Sequence, residues 1–381
     1  VYIGDGTLGE GVVYETMNFI SKKEIPMIIV CENNKYAQST PIDYNLAGNI
    51  ESRAKSFDLE FRESSTFGDD LEIMKEAKNS INWVRENKKP LFHLVNTYRL
   101  KAHSKGDDDR DISEIKKYEK LDFLNILSKK DPKYFSVQNK KIKKEISDFI
   151  NEAFAKEPLG LDDYLIKLDN NPEKLTFHKF SHDEDRFIKK INIAFKKLLE
   201  NKKVVFIGED ILDPYGGAFK VSKGLSSLFP DRVIGTPISE ALIAGVSNGL
   251  ALNGLVPFAE FMFGDFTSLA FDQLLNHSSK IYNMYNKQIT CPVVFRTPMG
   301  GGRGYGPTHS QTLEKHFLGM DTFEICATNR YVNPKLVLEY ALKREHPTLI
   351  IENKVDYGKN AKINIPDDYT VEVSNEDIPS L

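Results

Sequence analysis

An acidic side chain between two glycines, Gly4-Asp5-Gly6, and a later pair of amides, Asn33-Asn34, are the residues of this sequence with the clearest capacity for chemistry. A carboxylate, an amide oxygen and free backbone groups beside a glycine-lined approach suit a small hard cation that carries a phosphorylated ligand. Mg²⁺ takes about six oxygens and keeps few protein ligands when a diphosphate supplies others. Such groups must be positioned. Val1-Tyr2-Ile3 reads as the end of a buried strand; Val13, Met17 and Ile20 recur at helical spacing between Glu10 and Ser21; Pro26 to Cys31 is an apolar run of strand length. In a right-handed strand, helix, strand unit both strands finish at the same sheet edge, so Asp5 and Asn34 are expected to face one crevice.

Further chemistry-bearing residues lie downstream. Thr236-Pro237-Ile238-Ser239-Glu240 leads into a helix of small residues, where Ser239 reads as an N-cap and Glu240 as a first-turn acid. His309 follows the loop Gly300 to Gly306, and an imidazole exchanges its proton near neutral pH. That loop contains Gly302-x-Gly304 yet is read as not following a strand, which argues against a dinucleotide fingerprint and for an active-site loop. Arg99 and His103, in Tyr98 to Ser104, are donors suited to a phosphate or to a solvated basic loop. Taken alone, Phe266 reads as an ordinary core aromatic.

The stretch Gly4 to Gly11 through Glu32-Asn33-Asn34-Lys35-Tyr36-Ala37-Gln38-Ser39-Thr40-Pro41 resembles the thiamine diphosphate motif of the 2-oxo acid dehydrogenases in its α-subunit version. Gly208-Glu209-Asp210, Gly216 to Phe219, Thr236 to Glu240, Glu260 to Phe266 and Thr308 to Gln311 resemble, in order, the β-subunit of the same enzymes. The resemblance implies α- and β-type halves fused in one chain. It implies that Asp5, the Asn34 side chain and the Tyr36 carbonyl bind Mg²⁺, and that Gly4 and Gly6 shape the diphosphate approach. Arg99 and His103 would lie on a loop over the diphosphate. Glu240 would donate a hydrogen bond to the cofactor's aminopyrimidine nitrogen, for which it needs a desolvated position; Phe266 would pack on that ring, and His309 would transfer protons near the substrate or lipoyl arm. The implied reaction is oxidative decarboxylation of a 2-oxo acid, pyruvate or branched-chain, with acyl transfer to the lipoyl group of a partner acyltransferase. In this family the cofactor lies between two domains of different chains or chain halves, so a homodimer is expected. Lys101-Ala102 departs from the family's usual aromatic or glycine neighbours.

The chain has 381 residues and a formal net charge of −4, which implies no broad attraction to nucleic acid or membrane. No apolar stretch approaches spanning length. Cys31, Cys291 and Cys326 have no metal-ligand or redox spacing and read as reduced thiols of a cytoplasmic protein. Alternating strand and helix patterns predict an α/β fold of two thiamine diphosphate-binding-type domains with parallel sheets flanked by helices. The expected division is an incomplete diphosphate and Mg²⁺ domain (1–104), a helical lysine-rich arm (105–182), a pyrimidine-binding domain (183–355) and a tail (356–381) that begins a further domain. The lack of an initiator Met and of the family's preceding region reads as truncation at both ends. Two other functions share these features: a non-oxidative transferase of the transketolase or deoxyxylulose phosphate synthase type, and a non-catalytic fragment.

Overall fold

The computed structural model describes residues 1–68, 70–104, 106, 108–158, 160, 175–362 and 364–379. Two compact units, Val1–Asp163 and Tyr164–Leu381, make up the chain. Residues 161–174 of the expected arm lie outside the described residues.

The first unit is built on a parallel sheet in the order β1-β2-β4-β3, with β1 at Tyr2–Gly4, β2 at Ile28–Asn33, β3 at Glu60–Ser65 and β4 at Leu91–Asn96. Between β1 and β2 runs the helix Gly11–Lys22, which buries Val13, Met17, Phe19 and Ile20. Its apolar stripe covers the sheet and forces the crossover that aligns the two strand ends. Gly4 is in register with Glu32, and Asn33 with Asn96. β3 escaped the sequence reading because Glu60-Phe61-Arg62-Glu63-Ser64-Ser65 is an edge strand with little apolar content. The lysine-rich stretch forms the helices Ile112–Glu119, Phe123–Lys130 and Pro132–Phe154, capped by Asp111, Asp122 and Asp131.

The second unit holds a six-stranded parallel sheet in the order β10-β11-β9-β8-β6-β7, formed by β6 Val204–Glu209, β7 Val233–Thr236, β8 Val256–Glu260, β9 Val294–Met299, β10 Glu324–Ala327 and β11 Thr348–Asn353. Side-chain alternation divides its core in two. Phe206, Phe258, Val294 and Ile350 pack with the helices Phe187–Leu198 and Pro334–Lys343; Ile207, Ala259, Phe295 and Leu349 pack on the other face with Ile243 and Ala244 of the helix Glu240–Leu252. Both faces are therefore dry, as the near-continuous apolar runs require. The expected tail turns back onto this unit: Tyr357 joins the core, and β12 (Glu372–Ser374) pairs antiparallel with β5 (Phe177–Lys179).

Two details differ from expectation. β9 runs directly into Gly300, so the glycine loop does follow a strand. It still lacks the helix a dinucleotide site needs, because the chain continues into a single 3₁₀ turn, Pro307–His309. Ser239 occupies the N-cap position without capping; its hydroxyl donates instead to the Ile238 carbonyl at 2.7 Å.

Candidate functional site

Asp5 begins a 3₁₀ turn, Asp5–Gly9, directly after β1, with Gly4 as its extended N-cap. The side chain is 3% exposed and neither carboxylate oxygen has a hydrogen-bond partner. Burial pushes its pKa up; the amides of Asp5, Asn34 and Gly6 and the charge of Arg99 oppose that shift. The strand register therefore brings Asp5 and Asn34 to one edge as expected. A buried carboxylate without partners is costly unless a cation completes it.

Asn34 folds the following loop. Its Oδ1 accepts from the Tyr36 N–H at 2.9 Å, and Lys35 takes a positive φ of 69°. The Tyr36 hydroxyl donates to Glu114 at 3.0 Å. Gly6 is required here by contact: a Cβ on it would lie 2.9 Å from Ala37 Cβ. Arg99 closes the loop from the other side, donating to the carbonyls of Ala37 (2.9 Å) and Gln38 (2.6 Å), while His103 Nδ1 lies 3.4 Å from its Nη1 on the exposed surface. Arg99 is thus committed to the loop. Arg110, which sequence reasoning missed, buttresses it: the guanidinium is held by Asp108 at 2.7 Å through two nitrogens and donates to the carbonyls of Arg99 and Lys101. Its alternation with Asp108 in an acidic run was the available signal.

Mg²⁺ with a diphosphate fits this edge by its donor set: one unpaired buried carboxylate, one amide oxygen and backbone groups, all hard oxygens. Among the described residues no group of three His, Cys, Asp or Glu could hold a metal. The remaining oxygens would have to come from the ligand.

In the second unit, Glu240 opens its helix at 5% exposure, the desolvated position its expected role requires. Glu209, at the carboxyl end of β6, is its acidic neighbour. Oε1 accepts from the Met262 N–H at 3.0 Å and Oε2 is buried without a partner. Burial, against the Met262 bond and with the charges of Glu240 and Glu260 adding to it, pushes Glu209 up to about 7. An acid ending a fully apolar strand was the sequence signal for it.

Across the sheet the buried Arg296 guanidinium joins β8, β9 and β11 by bonding Glu260, Glu352 and the Tyr357 hydroxyl. Burial raises the pKa of Glu260, and Arg296 opposes it. A pair of this kind is bought with desolvation and is only as good as its geometry.

Phe266 and His309 meet. The His309 ring stands edge-on to Phe266 at 5.1 Å and to Phe263 at 4.9 Å, with Thr308 Oγ1 3.0 Å from its Nδ1. That leaves Nε2 as the ring nitrogen for an outside partner. The loop before it is closed by Gly300 N–H donating to the Gln311 carbonyl at 3.1 Å and by Asp265 accepting from Gln311 Nε2 at 2.8 Å. Gly300, Gly302, Gly304 and Gly306 all have φ between 77° and 90°, a backbone that side chains with a Cβ resist. Among the described residues no helix is long and apolar enough to cross a membrane.

Residues 1–158 match the family profile described as "Dehydrogenase E1 component", and residues 187–359 match "Transketolase, pyrimidine binding domain". The chain is 36% identical over 195 residues to the 2-oxoisovalerate dehydrogenase subunit beta of Bacillus subtilis, covering 50% of this chain and 59% of that protein. It is 39% identical over 166 residues to the chloroplastic pyruvate dehydrogenase E1 component subunit beta-3 of Arabidopsis thaliana, covering 43% and 40%. The chain thus spans 59% and 40% of the length of these two curated relatives, less than two thirds of either. Among solved structures, transketolase from Campylobacter jejuni superposes with a TM-score of 0.58 at 15% identity, over 92% of this chain and 55% of that one, and transketolase from Leishmania mexicana gives 0.58 at 14%, over the same shares. At that identity the likeness concerns the fold.

Proposed function

Because this chain belongs to the thiamine diphosphate-dependent 2-oxo acid dehydrogenase E1 component family, we propose that it decarboxylates a 2-oxo acid, pyruvate or a branched-chain homologue, and passes the acyl group to the lipoyl arm of a partner acyltransferase. The single observation that carries this reading is Asp5: a carboxylate 3% exposed, with both oxygens unpartnered, at the strand edge where Asn34 begins its loop. Asp5, the Asn34 side chain and the Tyr36 carbonyl would hold Mg²⁺, which would supply positive charge for the diphosphate. Gly6 allows the Asp5 turn to close on Ala37, and Arg99 fixes the loop's far side, with His103 beside it on the cofactor loop.

Thiamine diphosphate, when bound, supplies the electron sink for loss of CO₂. Everything else falls to the protein. Glu240, in its desolvated position beside Glu209, would donate a hydrogen bond to the aminopyrimidine ring nitrogen. Phe266 offers a ring face on which the pyrimidine packs. His309, steadied by Phe263, Phe266 and Thr308, uses Nε2 to move a proton at the substrate or lipoyl sulfur. A homodimer is the proposed assembly.

Acyl-lipoyl product formed from a lipoyl-domain acceptor and a panel of 2-oxo acids tests the reading. Accumulation of acyl-lipoyl with at least one acid supports it. Carbon-carbon transfer between sugar phosphates without any acyl-lipoyl product would instead favour the non-oxidative transferases.

A further inference from the structure

Lys354 lies one residue past β11 and is fully buried, at 0% exposure. An ammonium in such a place costs free energy unless its protons are received. Here it donates to the main-chain carbonyl of His309 and stands over two aromatic rings, 5.3 Å from the centre of Phe263 and 5.6 Å from that of Tyr305. Burial holds the pKa of this lysine down, against the attraction of Asp265 and with the charge of Arg303. The same residue engages the glycine loop at two further points: its N–H donates to the Met299 carbonyl at 3.3 Å, and its carbonyl accepts from Arg303 Nη1 at 3.0 Å. Lys354 therefore grips the loop where it leaves β9, in its middle and at its end.

Four glycines with positive φ, Gly300, Gly302, Gly304 and Gly306, lie between those grips and lend the loop little stiffness of their own. Loop position then depends on the grips. The terminal one acts on His309 itself, whose ring direction follows from its backbone and from the Phe263 and Phe266 edges.

We propose that Lys354 is a positioning residue for His309: its buried ammonium fixes the His309 carbonyl and so keeps the imidazole against Phe263 and Phe266. In its kinetic part the inference rests on the reading of His309 given above. An uncharged chain of similar volume would fill the same space without desolvating a charge, so the fold does not need the ammonium. The position of His309 does.

The test compares Lys354→Met, Lys354→Arg, His309→Ala and the double variant Lys354→Met/His309→Ala in the holoenzyme, with amide hydrogen exchange also followed on the cofactor-free protein. In Lys354→Met the unfolding temperature is kept, exchange at His309 and Gln311 rises roughly tenfold or more, and acyl transfer slows mainly through kcat. Lys354→Arg, which retains a cationic donor, recovers part of the exchange protection. The double variant is no slower than His309→Ala, because the lysine acts through the histidine. Unchanged exchange in Lys354→Met, a Lys354→Met protein that does not fold, or losses that add in the double variant would each overturn the inference. A His309→Ala enzyme as fast as the parent would remove the assigned role of His309, whereas the exchange result judges Lys354 separately.

Discussion

The His309 imidazole and the Phe266 ring meet edge to face, 5.1 Å apart and at 82° to one another. The contact joins the turn after β8 to the turn after the glycine loop, and Asp265 secures it by accepting from Gln311 one position beyond Ser310. Aromatic contacts of this kind contribute roughly 0.5–1.5 kcal/mol beyond area burial. Phe266→Leu is accordingly expected to slow acyl transfer by about threefold to tenfold while leaving the unfolding temperature nearly unchanged. Steady-state kinetics beside thermal unfolding checks it; an unaltered rate would mean that the ring does not steady His309.

Glu209 gives the second unit an acid-favoured stability. Its folded pKa of about 7 lies above the unfolded value of 4.5, so the native state binds the extra proton between those values. The contribution is complete below the unfolded pKa and is lost as pH rises through 7. Integrated, it is on the order of 3 kcal/mol. Chemical denaturation from pH 4.5 to 8 should show the parent losing more stability than Glu209→Gln over that range. Parallel curves for the two proteins would contradict the assignment.

Arg296 is the centre of a buried charge network, and removing it strands Glu260 and Glu352 in the core. Arg296→Met is expected to cost about 3–5 kcal/mol at neutral pH. The loss should shrink as pH falls, because the stranded Glu260 carboxyl, whose pKa burial raises, then takes up a proton. Urea unfolding at pH 7 and pH 5 measures both statements, and an equal loss at the two values would refute the second.

Asp5 should behave in the opposite sense when no metal is added. Burial outweighs the nearby amides and the charge of Arg99, so Asp5→Asn removes a net penalty and raises the unfolding temperature of the metal-free protein. A fall in that temperature would show that the carboxylate has a structural partner.

Much of this was legible because the two sheets announce themselves differently from their surroundings. Val204 to Ile207, Val293 to Phe295 and Thr348 to Ile351 are buried on both faces and read as continuous apolar runs. Asp5 and Asn34 could be brought to one edge because a right-handed crossover leaves no other arrangement. Lys354 and Arg110 were hidden for a common reason: each acts through contacts with backbone carbonyls, and a carbonyl leaves no trace in residue type. That β9 continues from Val294-Phe295 to the edge of the glycine loop was missed because Arg296, Thr297 and Pro298 break the apolar pattern although their side chains are buried in the fold. Arg296 looks like a loop residue until Glu260 and Glu352 are seen around it.

Calorimetric titration with thiamine diphosphate, with and without Mg²⁺, tests the central claim most directly. The account predicts saturable binding that requires Mg²⁺, is abolished in Asp5→Ala and Asn34→Ala, and is weakened in Glu240→Gln. Binding that is indifferent to Mg²⁺ and to Asp5, or no binding by the cofactor-free protein at all, would contradict it.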